Sequence, residues 1–184
     1  MKLLLSIALI LAVSGCGGSA LPGSGHASAQ PEQAGAVTLP SALSSGEAGL
    51  TVHFIDVGQG DSILAESDGH FMLVDAGEND QADTVVSYLR DQGVETLDYV
   101  IGTHPHSDHI GGLDKVIDTF DVGKVILPPV EHTTKTFEDV LDAVAGKGLK
   151  LTKPRVGDTY TLGNASFTII APNGDYGNDL NNWS

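Results

Sequence analysis

A loop over 103–112 contains three histidines and one aspartate within six positions. It lies between an apolar run of strand length and a segment with apolar residues at helical spacing. Neutral imidazole and carboxylate groups are the usual ligands of zinc and similar divalent ions. In an extended segment, residues two apart share a face, so His104 and His106 can chelate one ion. Asp108 and His109 fall past the turn and can reach a second ion. The loop therefore predicts a metal site at the edge of an α/β sheet.

The apolar pattern around this loop predicts alternating strands and helices. Strands are expected over 51–57, 62–66, 70–74, 97–101, 124–127, 149–152, 159–162 and 166–171. Helices are expected over 83–92, 112–120 and 136–145, the last with Thr136 as its N-cap. Asp68 and Gly69 are typical of a two-residue hairpin turn, because both positions favour positive φ. Strands that alternate with helices after an opening hairpin indicate a layered α/β fold.

The N-terminal part is predicted to be an export signal and a tether. An apolar run over 3–13 is shorter than the roughly 20 residues that span a bilayer, and it fits an export signal over 1–15. The residues Val-Ser-Gly-Cys that end at Cys16 resemble a bacterial lipobox, in which the cysteine carries lipid. An ordinary secretory signal with an incidental cysteine is the alternative. The Gly-, Ser- and Pro-rich stretch over 16–49 is expected to be a flexible tether. The domain over 50–184 would then be anchored to a membrane on its extracellular or periplasmic side.

The charge of the chain limits the partners that it can attract. Nine lysines and arginines stand against 24 aspartates and glutamates, which gives a formal net charge of −15. Such a surface repels polyanions and argues against a basic nucleic-acid-binding face. The single cysteine excludes an internal disulfide framework and any multi-cysteine zinc finger. Attraction of an anionic substrate would have to come locally, from bound metal ions.

The histidine loop resembles the signature of the metallo-beta-lactamase superfamily, His-x-His-x-Asp-His. The matching residues are His104, His106, Asp108 and His109. Asp75, at the end of a predicted strand, matches the acidic residue that supports the metal loop in that family. An ordinary strand-end carboxylate is the alternative interpretation of Asp75.

A second motif narrows the resemblance to one branch. The sequence His-Phe-Ile-Asp-Val-Gly-Gln-Gly-Asp-Ser over 53–62 looks like the opening of the metallo-beta-lactamase-like domain of ComEC-type competence proteins. This motif makes Asp56, Gln59 and Asp61 candidate residues near the metals. Considered on its residues alone, the motif is a strand that ends in a glycine-rich turn. Pro105 and the stretch over 178–184 also look like that branch.

The resemblance implies an αββα sandwich with two divalent ions, zinc or manganese, at one edge of its sheets. It also implies hydrolysis by a metal-bound hydroxide. Asp108 would bind one ion and orient that hydroxide, and His109 would share its ion. The remaining family ligands would follow Ser184, so the chain is expected to be the first part of the domain, with a strand starting over 181–184. The branch favours a phosphodiester or nucleic acid as substrate.

Other functions stay open at this point. The chain could be a metallo-hydrolase of a small ester, lactone or β-lactam. It could also be a non-catalytic cell-surface lipoprotein module that keeps the fold. His132, the histidine that follows the loop, is expected to face solvent, with a substrate or metal contact as the alternative. His53 and His70 are expected to be packing or surface residues. The oligomeric state is not indicated.

Overall fold

The computed structural model describes residues 49–130, 132–177 and 179–184. The predicted signal over 1–15, the lipidation site Cys16 and all but the last residue of the predicted tether over 16–49 lie outside the described residues, as does Asn178. Within the part that is described, no helix has the length and hydropathy needed to cross a membrane.

A six-stranded mixed sheet forms the centre of the fold, with its strands placed in chain order. The first three strands pair antiparallel, and the third to the sixth run parallel. Asp68 and Gly69 turn between the second and third strands with φ of 53° and 76°, which confirms the predicted hairpin. The strands are β1 (Thr51–Phe54), β2 (Ile63–Ser67), β3 (His70–Val74), β4 (Thr96–Ile101), β5 (Asp121–Ile126) and β6 (Leu151–Thr152).

Helices connect the parallel strands and build the main core against the sheet. Each of the longer ones has an apolar stripe at helical spacing, and burial of that stripe stabilises it. In the first, Val85, Val86 and Leu89 are buried. The helices are α1 (Ala82–Asp91), α2 (Ser107–Ile110), α3 (Leu113–Thr119) and α4 (Lys135–Gly146). Their core contains the fully buried side chains Leu97 and Val100 of β4 and Leu113, Val116 and Ile117 of α3.

A second, smaller sheet packs against the central one. β7 (Thr159–Leu162) and β8 (Ala165–Thr168) form an antiparallel hairpin. Leu162 is buried with Met72 of β3, and Phe167 meets Tyr99 of β4 edge to face with ring centroids 5.0 Å apart. The described residues therefore include helices, a mixed sheet and a second sheet, which confirms the expected α/β fold class.

Some predicted boundaries and one cap are wrong. Thr134, not Thr136, is the N-cap of α4, because its hydroxyl accepts a hydrogen bond from the Phe137 amide at 3.4 Å. Thr136 instead donates its hydroxyl to Asn79. β5 begins at Asp121 rather than at 124, because backbone pairing with β4 does not require apolar side chains. β1 ends at Phe54 rather than at 57, before the glycine-rich turn.

The prediction that a strand starts over 181–184 is wrong. The chain there forms a 3-10 helix, Leu180–Trp183. Trp183 is buried, and its indole nitrogen donates to the Gly177 carbonyl oxygen at 3.2 Å. The Asn182 side chain also donates to Asp179 at 2.7 Å. These local hydrogen bonds favour a turn over an extended conformation.

The parallel strands end at one edge of the central sheet, and that edge carries the candidate site. The segments that leave β3, β4 and β5 there contain Asp75, the histidine loop and His132, respectively. Loops at the carboxyl ends of parallel strands are where α/β folds place their sites.

Candidate metal centre

The structure brings the three predicted histidine ligands into one cluster. His104 is buried directly after β4, and His106 is the extended residue that precedes α2. The ring centroid of His104 lies 4.8 Å from that of His106 and 4.0 Å from that of His109. Asp108 also lies in α2, with its Oδ2 atom 4.0 Å from His109 Nε2. The four residues of the loop motif therefore share one side of the sheet edge.

Asp75 lies behind this cluster and is 1% exposed. Its Oδ1 accepts the Thr103 amide at 2.8 Å, and its Oδ2 accepts the Thr103 hydroxyl at 2.6 Å. Oδ2 also lies 2.9 Å from His109 Nδ1. Burial raises the pKa of Asp75, and the hydrogen bonds from His109 and Thr103 oppose that effect. A carboxylate behind one imidazole nitrogen fixes the ring and its tautomer, which is the supporting position predicted for Asp75.

His109 presents its two nitrogens to different neighbours. Nδ1 is engaged by Asp75, whereas Nε2 faces Asp108. Burial lowers the pKa of His109, but the hydrogen bond to Asp75 and the negative charge of that residue outweigh burial and leave the pKa raised. Because Nδ1 is used as a donor to Asp75, Nε2 is the atom left to bind a metal.

Asp61 adds a second carboxylate on the Nδ1 side of His109. Its Oδ2 lies 3.7 Å from that nitrogen, and one ligand atom each from Asp61, Asp75 and His109 lie within 4.8 Å of one another. An ion held by these atoms would have to displace the hydrogen bond between Asp75 and His109. The Asp75 carboxylate is also occupied by two bonds from Thr103. The geometry therefore favours the Nε2 side as the metal position.

His104 carries the sharpest indication that the cluster suits a metal ion. Its Nε2 is buried, and none of the described residues makes a hydrogen bond of good geometry to it, although the Asn181 side chain approaches His104. Burial, followed by the charges of His109 and His106, lowers the pKa of His104 to about 4. The ring is therefore neutral at pH values near 7, with a buried lone pair that costs free energy while it has no partner. Neutral imidazole is the form that binds zinc, so the residues present fit such an ion.

Asp108 is held by the glycine-rich turn that the sequence singled out. Gln59 Nε2 donates to Asp108 Oδ2 at 2.9 Å. Partial burial raises the pKa of Asp108, but the Gln59 hydrogen bond and the nearby His109 outweigh it, so the pKa is lowered. Asp108 is therefore ionised at neutral pH. Asp56 acts within the turn, where its Oδ1 accepts the Gly58 amide at 3.1 Å.

Sequence reasoning missed Thr103. The Thr103 hydroxyl joins Asp75 to the loop and lies 3.1 Å from His104 Nδ1. Its position directly before the first histidine was the available signal. His132, expected to face solvent, has its ring centroid 6.4 Å from that of His106, and its Nδ1 lies 2.9 Å from the Thr134 hydroxyl. His53 pairs with Tyr88 and His70 with Asp98, both away from the loop.

An open cavity of about 600 Å³ lies at the carboxyl ends of β5 and β6. Its charged lining residues, among those described, are Lys153 and Asp175, and Trp183 forms part of its wall. The 3-10 turn that contains Trp183 also brings the Asn181 side chain towards His104. The cavity therefore lies at the same edge of the central sheet as the segments that carry the histidine cluster.

The metal-free protein should lose stability as the pH falls from about 6.5 to about 4 because of His104. The pKa of His104 is about 4 in the folded chain and 6.5 in the absence of the fold. Between these values the unfolded chain binds a proton that the folded chain does not, so acidification favours unfolding. The free energy of unfolding of both proteins is measured by urea titration after removal of metal with EDTA, at pH values from about 7 to about 4. As the pH falls, the value for wild type should decrease more than the value for His104→Asn. A constant difference between the two proteins across that range would contradict the assignment.

Comparison with known sequences supports the family that the motif indicated. A profile of the metallo-beta-lactamase superfamily matches residues 55–180. ComE operon protein 3 of Bacillus subtilis (strain 168) is 25% identical, over 72% of this chain and 19% of that protein. Competence protein ComA of Neisseria gonorrhoeae is 38% identical, over 42% of this chain and 11% of that protein. Hydroxyacylglutathione hydrolase of Aliivibrio salmonicida (strain LFI1238) is 35% identical, over 38% of this chain and 26% of that protein. The chain thus spans about a quarter or less of the length of these relatives.

Solved structures support the same fold. A motif mutant of a metallo-beta-lactamase from Cronobacter sakazakii superposes with a TM-score of 0.50 at 17% identity, over 65% of this chain and 50% of that one. The matched profile spans more than half of the chain and includes both Asp75 and the histidine loop. Because sequence and fold agree, the chain belongs to the metallo-beta-lactamase superfamily, whose members bind divalent metals.

Proposed function

We propose that this chain is a metal-dependent hydrolase of phosphodiesters. The observation that carries the proposal is His104, a buried neutral imidazole whose Nε2 lacks a hydrogen-bond partner among the described residues. Two more histidine rings lie within 5 Å of it, centroid to centroid. A metal ion would supply the partner that this nitrogen lacks. Imidazole and carboxylate donors suit zinc, and manganese is compatible with them.

Each residue of the cluster has a task in this proposal. His104 and His106 would hold one ion, and Asp108 with His109 would hold a second. A bound divalent ion supplies Lewis-acid chemistry, since it polarises the attacked group and makes water more acidic. Asp108, already ionised, would accept a hydrogen bond from the attacking water and orient it. Asp75 keeps His109 in the tautomer that leaves Nε2 free.

Similarity to competence proteins supports a phosphodiester, including nucleic acid, as the substrate. The motif over 53–62 resembles that branch, and a ComE operon protein and a competence protein are among the relatives. A small ester is the second candidate, favoured by the similarity to a hydroxyacylglutathione hydrolase.

The full chain loaded with Zn²⁺ or Mn²⁺ should hydrolyse bis(p-nitrophenyl) phosphate and a DNA oligonucleotide, because metal and ionised Asp108 would together activate water. Product release should stop on addition of a chelator. In Asp108→Asn the rate should fall by about 100-fold or more, since the carboxylate that orients water is lost. Asp114→Asn, a neighbour in α3, is the matched control.

Other outcomes of that assay separate the alternatives. Hydrolysis of S-lactoylglutathione or nitrocefin without cleavage of phosphodiesters would overturn the substrate assignment and favour the ester or β-lactam reaction. Bound metal with no hydrolysis of any of these substrates would overturn the enzymatic proposal and favour a non-catalytic surface module.

We also propose that the chain is exported and anchored to a membrane through lipid on Cys16, which lies outside the described residues. The support is the lipobox-like sequence that ends at the chain's single cysteine. Cys16→Ser should move the protein from the membrane fraction to the soluble fraction, because the acyl chains provide the anchor. Retention of the variant in the membrane fraction would contradict lipidation at this residue.

A further inference from the structure

The glycine-rich turn after β1 packs directly on the backbone of Asp108. A Cβ at Gly60, whose φ is 88°, would lie 1.6 Å from the Asp108 carbonyl oxygen, so only glycine fits there. The amide of Asp61 donates to the same carbonyl oxygen at 3.3 Å. Backbone contacts alone therefore fix the turn against α2.

One side chain of this turn reaches the functional group of Asp108. Gln59 is separated from Asp108 by 49 positions in sequence, yet its Nε2 donates to Asp108 Oδ2 at 2.9 Å. The Gln59 side chain is exposed, so it adds little to the core. The carboxylate that it contacts is only partly buried.

The turn is itself rigidly connected to the other support of the site. The Gly77 amide donates to the Asp61 carbonyl oxygen at 2.9 Å. The buried Ser62 hydroxyl donates to the Asp75 carbonyl oxygen at 3.1 Å. The segment that carries Gln59 is therefore tied to the strand end that carries Asp75. One scaffold thus positions two neighbouring side chains, with Asp75 behind His109 and Gln59 beside Asp108.

We propose that Gln59 is a positioning residue that fixes the Asp108 carboxylate for binding a divalent cation, a proposal that rests on the proposed metal site. Its amide occupies one lone pair of Oδ2 and limits rotation of the carboxylate. The ion then meets a preorganised ligand and does not have to order it. Partners that orient metal ligands in this way typically change metal affinity by about 10- to 100-fold.

The test is the zinc affinity of the full-length Gln59→Met variant, measured by competition with a chromophoric chelator. Methionine keeps the length of the side chain and removes the donor. The dissociation constant should rise by about tenfold or more, while the urea midpoint of the metal-free protein stays at the wild-type value. Gln92→Met, at the exposed end of α1, is the matched control and should change neither quantity. Gln59→Ala should repeat the result of Gln59→Met.

The outcomes separate this proposal from the proposed function. If wild type binds zinc and Gln59→Met binds it equally well, the positioning role is overturned and the metal site stands. If the zinc affinity and the urea midpoint of the metal-free protein fall together in both Gln59 variants, Gln59 stabilises the fold as a whole and the proposal is also overturned. If wild type itself does not bind zinc, the proposed metal site fails first.

Discussion

Replacing His104 and His106 together with alanine should abolish tight binding of the zinc ion that these two residues would hold. The two rings lie 4.8 Å apart and offer the pair of imidazoles that would hold one ion. The binding free energy of a structural zinc site is about 10–16 kcal/mol, to which about four ligands contribute. Loss of two ligands should therefore raise the zinc dissociation constant by about 1,000-fold or more. Zinc per chain, measured by mass spectrometry after dialysis, should fall by at least one ion relative to wild type.

The matched control for this prediction changes two other histidines. His53→Ala combined with His70→Ala alters two histidines that pair with Tyr88 and Asp98, away from the loop. That variant should retain the wild-type zinc content. If the zinc content does not fall after replacement of His104 and His106, these two histidines hold no ion and the site assignment is wrong.

Asp75→Asn should weaken both metal binding and the fold. Asparagine tolerates the φ of 56° at this position, so backbone strain is not the cause. Its amide group would face either the Thr103 hydroxyl or His109 Nδ1, in place of a carboxylate oxygen that serves both. We expect a 10- to 100-fold rise in the zinc dissociation constant, roughly the effect of losing a carboxylate behind a metal ligand. The free energy of unfolding should fall by about 2 kcal/mol, because a buried hydrogen-bond network is left incomplete.

The two quantities are measured separately for Asp75→Asn. Chelator competition gives the zinc affinity, and urea unfolding of the metal-free protein gives the stability. Asp80→Asn, on the exposed turn before α1, should leave both unchanged. Wild-type zinc affinity in Asp75→Asn would contradict the supporting role, and reduced stability alone would make Asp75 an ordinary buried carboxylate of the fold.

The charges of the site fit a cation better than an anion before any metal is bound. Asp61, Asp75 and Asp108 converge around His109, and the charges of all three act to raise its pKa. A metal ion binds the neutral form of His109, and at mildly acidic pH the raised pKa keeps this histidine protonated. Zinc binding should therefore release protons at that pH. A phosphodiester would meet a repulsive surface until ions fill the site, which makes substrate binding dependent on metal.

The sequence predicted the local features of this protein well, because local patterns carry them. The hairpin at Asp68 and Gly69 follows from the φ preference of those residues, and α1 follows from its apolar stripe. The clustering of the loop histidines was also expected, because they are close along the chain. Asp75, by contrast, has a φ of 56°, which the strand pattern around it does not indicate.

Features that depend on contacts between distant segments were not predictable. Nothing in the spacing shows that Gln59 meets Asp108 across 49 positions, since the turn and α2 are brought together only by the folded sheet. The choice between Thr134 and Thr136 as the N-cap depended on the partner that Thr136 finds in Asn79. The approach of His132 to His106 depends on how the β5–α4 connection folds back over the sheet edge.

We propose that the metal ions lie within the histidine loop, on the Nε2 sides of His104 and His109. Anomalous diffraction from zinc-soaked crystals of the full chain, collected above the zinc absorption edge, shows where zinc binds. We expect one peak at bonding distance, about 2.0–2.1 Å, from His104 Nε2 and a second at that distance from His109 Nε2, with no peak on the Nδ1 side of His109. A peak between Asp61 and Asp75, or no ordered zinc near the loop, would contradict this proposal.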